Sequence, residues 1–207
     1  VDSVEWDARY AAEELLWSSE PNRFLVEELA ALPPGRALDL ACGEGRNSIW
    51  LALRGFEVTG VDFSGVALEK AARLAKERGV TLQLIKADLL EWVPGKENFD
   101  LVVIMYLHLR PADRRRVIRR AAKALAPSGT LFVVGHDSRN LRDGVGGPQD
   151  PEVLFTPQDV VDDVKTLGGG PLKLVKAARA EREVEVPQGA PRSAIDALVR
   201  LERDALG

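Results

Sequence analysis

Leu38 to Asn47, reading LDLACGEGRN, carries an apolar strand through an acidic residue into a glycine-bearing turn, and helix-forming sequence follows at once. Strand, tight turn and helix start together make a nucleotide-sized cradle, because glycine permits close backbone approach and the first helical N–H groups have no partner inside the helix. Gly43 and Gly45 supply a GxG, but Ser48 stands where a dinucleotide fingerprint carries its third glycine. Asp39, an acid inside the strand, points to a ligand with positive charge near the turn.

Composition bounds the reading from outside. A chain of 207 residues, 45% hydrophobic and without an apolar run long enough to span a bilayer, is expected to be one soluble domain. Its first residues, VDSVEWDARYAAEELLW, are acidic and amphipathic, unlike a signal peptide. Cys42 is the one cysteine, so neither an internal disulfide nor a cysteine-rich zinc site can form, which fits a cytoplasmic location. The net charge of −4 gives no long-range pull on nucleic acid or an anionic membrane and leaves a small partner as the expectation. In the arginine-rich stretch Arg110 to Lys123, Val117, Ile118, Ala121 and Leu125 share a helical face. Arg116, Arg119, Arg120 and Lys123 then read as a solvated outer face rather than a phosphate site.

Strands and helices alternate along the chain. Helices are expected over Asp7 to Trp17 and Asn22 to Ala31, broken at Leu32-Pro33-Pro34-Gly35. A strand at Ala37 to Ala41 leads into a helix over Arg46 to Arg54 closed by Gly55, then a strand at Glu57 to Val61 and a helix capped by Ser64 that ends at Gly79. Further strands follow at Thr81 to Lys86, Phe99 to Met105 and Thr130 to Val134, with a helix opened by Pro111 before the last and ended by Ala126-Pro127-Ser128-Gly129. Asp137 to Pro151 reads as a surface loop, and Pro157 to Thr166 as a helix that meets Gly168-Gly169-Gly170. The extended stretches Leu172 to Val186 and Ala194 to Arg203, joined through Pro187 to Pro191, read as an antiparallel hairpin. The expected fold is α/β: a Rossmann-like, seven-stranded, mostly parallel sheet with an antiparallel C-terminal hairpin and helices on both faces.

LDLACGEGRN, VTGVDFS, KADLLEW and FDLVVIMYLHL, in this order and spacing, resemble the class I S-adenosylmethionine-dependent methyltransferases over most of the chain. WSSEPNRFL and YLHL are most similar to the small-molecule branch that includes tellurite-resistance and thiopurine methyltransferases. The resemblance implies a helical lid over residues 1–32, a cofactor-binding core over 36–135, and an acceptor loop, helix and hairpin over 136–207. It implies S-adenosyl-L-methionine as cofactor and S-adenosyl-L-homocysteine as product. In the matched turn, Asp39, Ala41, Gly43 and Gly45 approach the methionine half, with Ala41 where the family often has glycine. Asp62 at the end of the second strand receives the ribose hydroxyls, and Phe63 covers the adenine. Asp88 takes the adenine amino group, with Leu89 supplying a backbone N–H. Cys42, Arg46, Asn47, Ser64, Ala87 and Met105 complete the implied cofactor set.

Each carboxylate also has a purely local use. Asp39 can satisfy turn donors, Asp62 can sit at the N-terminus of the following helix, and Asp88 can begin an Asx-turn.

Methyl transfer from a sulfonium is an in-line displacement, so it needs positioning, and a general base only when the acceptor arrives protonated. His108 in Tyr106-Leu107-His108-Leu109 is the first candidate base, with orientation of a loop as its other reading; His136 is the second candidate. Tyr10, Trp17, Tyr106, Arg182 and Arg192 are the candidate acceptor-pocket residues. No metal is required, and the partner is a small-molecule methyl acceptor (phenol, quinol, heteroaromatic nitrogen, thiol or chalcogen oxyanion), the protein acting as monomer or homodimer. The strand ending in Ile104-Met105-Tyr106-Leu107-His108 lacks the Asn/Asp-Pro-Pro-aromatic sequence of enzymes that methylate nucleobase amines. The alternatives are a nicotinamide-dependent oxidoreductase, disfavoured by Ser48 and Asp39, and a non-catalytic S-adenosylmethionine-binding module.

Overall fold

Short apolar strands separated by amphipathic helices build β1 (Arg36–Leu40), β2 (Glu57–Asp62), β3 (Gln83–Lys86), β4 (Phe99–Met105), β5 (Leu125–His136), β6 (Leu172–Val184) and β7 (Arg192–Arg203). They form a seven-stranded sheet in the order β3-β2-β1-β4-β5-β7-β6. β1 and β3 both pair parallel to β2, and β7 pairs antiparallel to both β5 and β6, as the alternation and the closing hairpin require. This computed structural model describes residues 3–16, 18–95, 99–165, 172–184 and 192–205. The stretches Gly168 to Gly170 and Pro187 to Pro191, read above as a helix stop and a hairpin turn, lie outside them. Among the described residues no helix is long and apolar enough to cross a membrane.

Two compact units divide the chain, one reaching Val93 and taking in the strand residues up to Val103, the other continuing from Ile104. In the first, α3 (Arg46–Leu53) follows the turn after β1, and α4 (Gly65–Glu77) follows β2, with the Ser64 side chain accepting from the Ala67 N–H as its cap. Gly45 has φ +79°, and a Cβ there would stand 2.9 Å from that of Ala71, so glycine is what lets the start of α3 lie against α4. α1 (Ser3–Ala12) begins and ends earlier than the helix expected over Asp7 to Trp17. Lys70 on α4 donates to the carbonyls of Tyr10 and Glu13, and a cation at those carbonyls favours a helix end. α2 (Arg23–Leu29) is capped by Asn22, whose side chain accepts from the Phe24 N–H.

In the second unit, Pro111 opens α5 (Pro111–Ala124) as expected, burying Val117, Ile118 and Ala121. Its arginine face is only in part a solvated one. Asp163, on α7 (Pro157–Val164), lies 2.7 Å from Arg114 Nε and 3.1 Å from Arg115 Nε, while Arg119 donates to the Asp163 carbonyl. Those contacts dock α7 onto α5. β5 starts at Leu125, earlier than expected, but its pairing with β7 runs over Thr130 to His136. The expected loop from Asp137 to Pro151 is more ordered than glycine and proline content suggests: it holds a short helix, α6 (Asn140–Asp143), and leads into a 3-10 turn at Pro151–Val153. Asn140 organises it, accepting from the Ile195 N–H at 2.7 Å and donating to the carbonyls of Val145 and Gly146.

Candidate functional site

The turn after β1 is held in the left-handed region at three positions, Ala41 (φ 61°), Gly43 (φ 53°) and Gly45 (φ 79°). Two of the three are glycine, which adopts that geometry without strain; Ala41 bears the cost where the resembled family often has glycine. Beneath the turn, Asp39 is 1% exposed, and its Oδ2 accepts from Ser48 Oγ at 2.6 Å. Ser48, at the position of the absent third glycine, therefore uses its hydroxyl on the strand acid. Asp39 Oδ1 is buried with no hydrogen-bond partner. Burial pushes the Asp39 carboxyl up to about 7, the Ser48 bond opposing the shift and the charge of Asp62 adding to it.

Asp62 closes the turn from the neighbouring strand. Its Oδ2 accepts from the Gly43 N–H at 2.8 Å and its Oδ1 from the Ser64 N–H at 2.9 Å, so it clamps the glycine turn to the start of α4. Burial raises its carboxyl, with those backbone donors opposing. The Phe63 N–H bonds the carboxylate as well, and three donors still leave acceptor capacity on it, so the clamp and a hydroxyl-bearing ligand are compatible. Phe63 is half-buried beside it. Asp88 is exposed and makes the Asx-turn that its local reading anticipates, Oδ1 accepting from the Leu90 N–H at 2.8 Å, while Leu89 is half-buried. The Ala87 N–H donates to the Asp62 carbonyl.

Several residues around the turn act inside the fold. Asn47 Oδ1 accepts from the Asn22 N–H at 2.9 Å, so its side chain anchors the start of α2. The Ser64 hydroxyl caps α4 and bonds Asp7 Oδ1. Cys42 is buried with its sulfur 3.0 Å from where a Gly60 Cβ would be, and burial drives its thiol well above the ordinary range, so it packs rather than reacts. Arg46, half-buried at the start of α3, contributes positive charge toward Asp39. Tyr10, on α1, reaches the turn directly: its hydroxyl lies 2.8 Å from the position of a Cβ on Gly43. Trp17 lies outside the described residues. Glu44 and Lys70, not singled out by sequence, pair at 3.1 Å and help hold this N-terminal segment, since Leu16 N also donates to Glu44.

In the second unit, buried Met105 ends β4, and the next residue, Tyr106, has φ 58°, unfavourable for a side chain of its size. The Tyr106 hydroxyl donates to Asp196 Oδ2 at 2.8 Å, and Arg182 Nε donates to the same oxygen at 3.0 Å. His136 and Asp196 are direct cross-strand partners on β5 and β7, with Nδ1 3.1 Å from Oδ1. Asp196 is fully buried. Burial alone would raise its carboxyl, yet His136, the Arg182 charge and the Tyr106 hydroxyl carry it below the ordinary carboxylate range. Arg192, by contrast, is exposed at the first position of β7, outside this cluster.

His108 follows the end of β4 and is half-buried. Its Nε2 accepts from the His136 backbone N–H at 3.0 Å, and the ring also bonds the Tyr106 backbone. Burial and the neighbouring His136 push it down to about 4, so it is neutral at physiological pH. Its ring is thus held by the backbone on both sides. Asp196 carried a signal that sequence reading passed over: a lone acid in the apolar run Ala194-Ile195-Asp196-Ala197-Leu198-Val199.

Residues 37–129 match a family model described as a methyltransferase domain. Among curated proteins, the chain is 30% identical over 151 residues to the glycine/sarcosine N-methyltransferase of Halorhodospira halochloris, covering 70% of this chain and 51% of that one. The chain spans about half the length of the curated relatives it matches. Among solved structures, it resembles the N-methyltransferase NodS from Bradyrhizobium japonicum WM9 in complex with S-adenosyl-L-homocysteine, with TM-score 0.73, 20% identity and 98% and 99% of the two chains covered. TehB from Haemophilus influenzae is similar at TM-score 0.71 and 19% identity, over 88% of this chain and 62% of that one.

Proposed function

We propose that this chain, which belongs to the class I S-adenosylmethionine-dependent methyltransferases, transfers a methyl group to a small-molecule acceptor. The observation that carries the reading is the buried, unpartnered Asp39 Oδ1 beneath a turn held open by Gly43 and Gly45. A buried carboxylate oxygen without a donor is costly, and a cationic ligand group at the turn relieves that cost. S-adenosylmethionine fits this donor set, because it brings an ammonium for an acid, hydroxyls for an acceptor-only carboxylate and an aromatic base for a ring. When bound it supplies a methyl group made electrophilic by the sulfonium.

The residues divide the binding work. Asp39 would face the ammonium, Gly43 and Gly45 would admit the ligand close to the backbone, and Asp62 would accept the ribose hydroxyls with its remaining lone pairs. Phe63 would cover the adenine, with Asp88 and Leu89 at its edge. Tyr106, His136 and Arg182 would meet the acceptor. A nicotinamide reading fits less well, since Ser48 is buried on Asp39 rather than leaving a glycine for a pyrophosphate.

Isothermal calorimetry with S-adenosylhomocysteine tests the cofactor assignment, and transfer of labelled methyl onto a panel of phenols, quinols, heteroaromatics, thiols and tellurite tests the activity. Saturable binding with turnover on a small molecule is expected. Absence of S-adenosylhomocysteine binding to the wild-type chain overturns the cofactor assignment, and binding without turnover on any of the panel leaves a non-catalytic module.

A further inference from the structure

We propose that the outer edge of β6 is a dimerisation surface, on which a second copy of this chain adds its own β6 antiparallel, across a two-fold axis through Ala180. The inference stands apart from the methyltransferase reading and uses the second unit alone.

The sheet ends in two unlike strands. β3 has four residues, whereas β6 has thirteen, Leu172–Val184, with neither proline nor glycine among them. Short edge strands, prolines and bulges are the ordinary protections of an edge, because an open row of N–H and C=O groups accepts another strand. In β6 a register shift lies between Leu174 and Lys176, and from Lys176 to Val184 the ladder with β7 is continuous. Among the described residues β6 pairs with β7 alone.

Which backbone groups face outward follows from β7. The Ile195 carbonyl accepts from the Asp137 N–H and the Ile195 N–H donates to Asn140 Oδ1, so Ile195 turns its backbone away from β6 and Asp196 turns toward it. Ala180 stands opposite Asp196 and turns its own N–H and C=O inward. Arg179 and Glu181, on either side of it, therefore turn theirs to the open edge.

The charge pattern selects both the partner and the register. A two-fold axis perpendicular to the sheet sets residues of one face opposite each other, at equal distances from the axis. Centred on Ala180, it sets Arg179 against Glu181 of the second copy and Glu181 against that copy's Arg179. The residues with outward backbone groups thus exchange main-chain hydrogen bonds and form an ion pair twice over, while the small Ala180 meets itself. Lys176 then meets Val184, and Ala178 meets Arg182. Moving the axis to Arg179 sets that arginine on itself and Lys176 on Arg182; moving it to Glu181 sets that glutamate on itself. Opposite charges directly across an antiparallel pair are favourable and like charges unfavourable, so the strand is complementary to its own copy in one register. Arg179 is already turned for this part. Buried Asp137 accepts from its Nε at 2.8 Å, which leaves the terminal nitrogens of a side chain 43% exposed to reach the copy's Glu181. Pairing holds β6 on both edges, and with it Arg182, whose Nε donates to Asp196.

Sedimentation equilibrium of the chain at tens of micromolar is expected to give twice the mass of a single chain. Glu181→Arg opposes arginines at both ion pairs and is expected to weaken the dimer about 100-fold or more. Ala177→Pro removes an outward N–H at an edge position, where proline is tolerated, and is expected to weaken it at least about tenfold. Under mild oxidation Ala180→Cys is expected to give a covalent dimer, because a non-hydrogen-bonded antiparallel pair brings the two Cα atoms to about 4.5 Å, within disulfide reach. Ala178→Cys, displaced from the axis, is expected to remain uncrosslinked. A single-chain mass for the wild type overturns the proposal and leaves the edge to a strand of another protein. A dimer that Glu181→Arg leaves intact, or that crosslinks through Ala178→Cys rather than Ala180→Cys, also overturns it. Should Glu181→Arg fail to fold by circular dichroism, the two cysteine variants decide the register without it.

Discussion

Buried aspartates in the two units are satisfied in opposite ways. Around the glycine turn, Asp39 and Asp62 are reached by neutral donors, the Ser48 hydroxyl and the Gly43 and Ser64 N–H groups, and burial raises both. In the second unit, Asp196 meets Arg182 and Asp163 meets Arg114 and Arg115. A carboxylate that already has its guanidinium holds its charge without a ligand. One that has only neutral donors and an orphaned oxygen retains affinity for a cation. The contrast separates structure from recognition within one sheet.

The largest expected effect tests the architectural side. Asp163→Ala leaves the Arg114 guanidinium, 7% exposed, without its buried partner. The expected cost is about 3–5 kcal/mol, read as a fall of roughly 10 °C in melting temperature for a chain of this size. A shift of only a degree or two would mean that the α5–α7 docking does not depend on that pair.

Asp62→Ala tests the recognition side. It removes the acceptor for the Gly43 and Ser64 N–H groups as well as the proposed ribose contact, and is expected to weaken S-adenosylhomocysteine binding about 100-fold or more. Circular dichroism of the variant separates loss of the site from loss of the fold. Retained affinity would reduce Asp62 to a clamp between two turns.

The smallest effect is a pH dependence set by Asp39. Only the ionised carboxylate attracts an ammonium, and its carboxyl in the free protein is raised to about 7. Affinity for S-adenosylhomocysteine is therefore expected to rise roughly tenfold between about pH 6 and 8 and then level off. The sign for folding is the reverse. Because the folded carboxyl lies above its unfolded value of 3.8, the folded chain holds the extra proton between those values, and this group makes the unliganded protein less stable as pH rises through that window. A flat binding profile would show that Asp39 does not meet the cationic group.

Legibility in the sequence followed contact distance along the chain. The turn from Asp39 to Asn47 was readable because strand, glycine spacing and helix start lie within ten residues, and backbone sterics operate at that range. The acids at Asp62 and Asp88 were readable as strand-end residues, although Asp62's clamp on Gly43 required the parallel pairing of β1 with β2. The helix face of α5 was readable as periodicity, while its arginines were not. Nothing local to Arg114 or Arg119 tells that Asp163 will dock there, more than forty residues on. For the same reason nothing local to His108 tells that its Nε2 will accept the His136 backbone N–H.

By itself, then, the amino-acid sequence determined the strand–turn–helix cradle, the alternation that makes an α/β sheet and the family motifs carried on it, because each depends on short-range backbone preference and hydrophobic period. Tertiary structure alone decided which buried acids are paired and which are left waiting. It took the antiparallel register of β5 and β7 to set Asp196 opposite His136, with Tyr106 ninety residues earlier in the chain reaching the same carboxylate. Charge pairing of that kind follows from folded distance and burial, and neither is written in the spacing of residues along the chain.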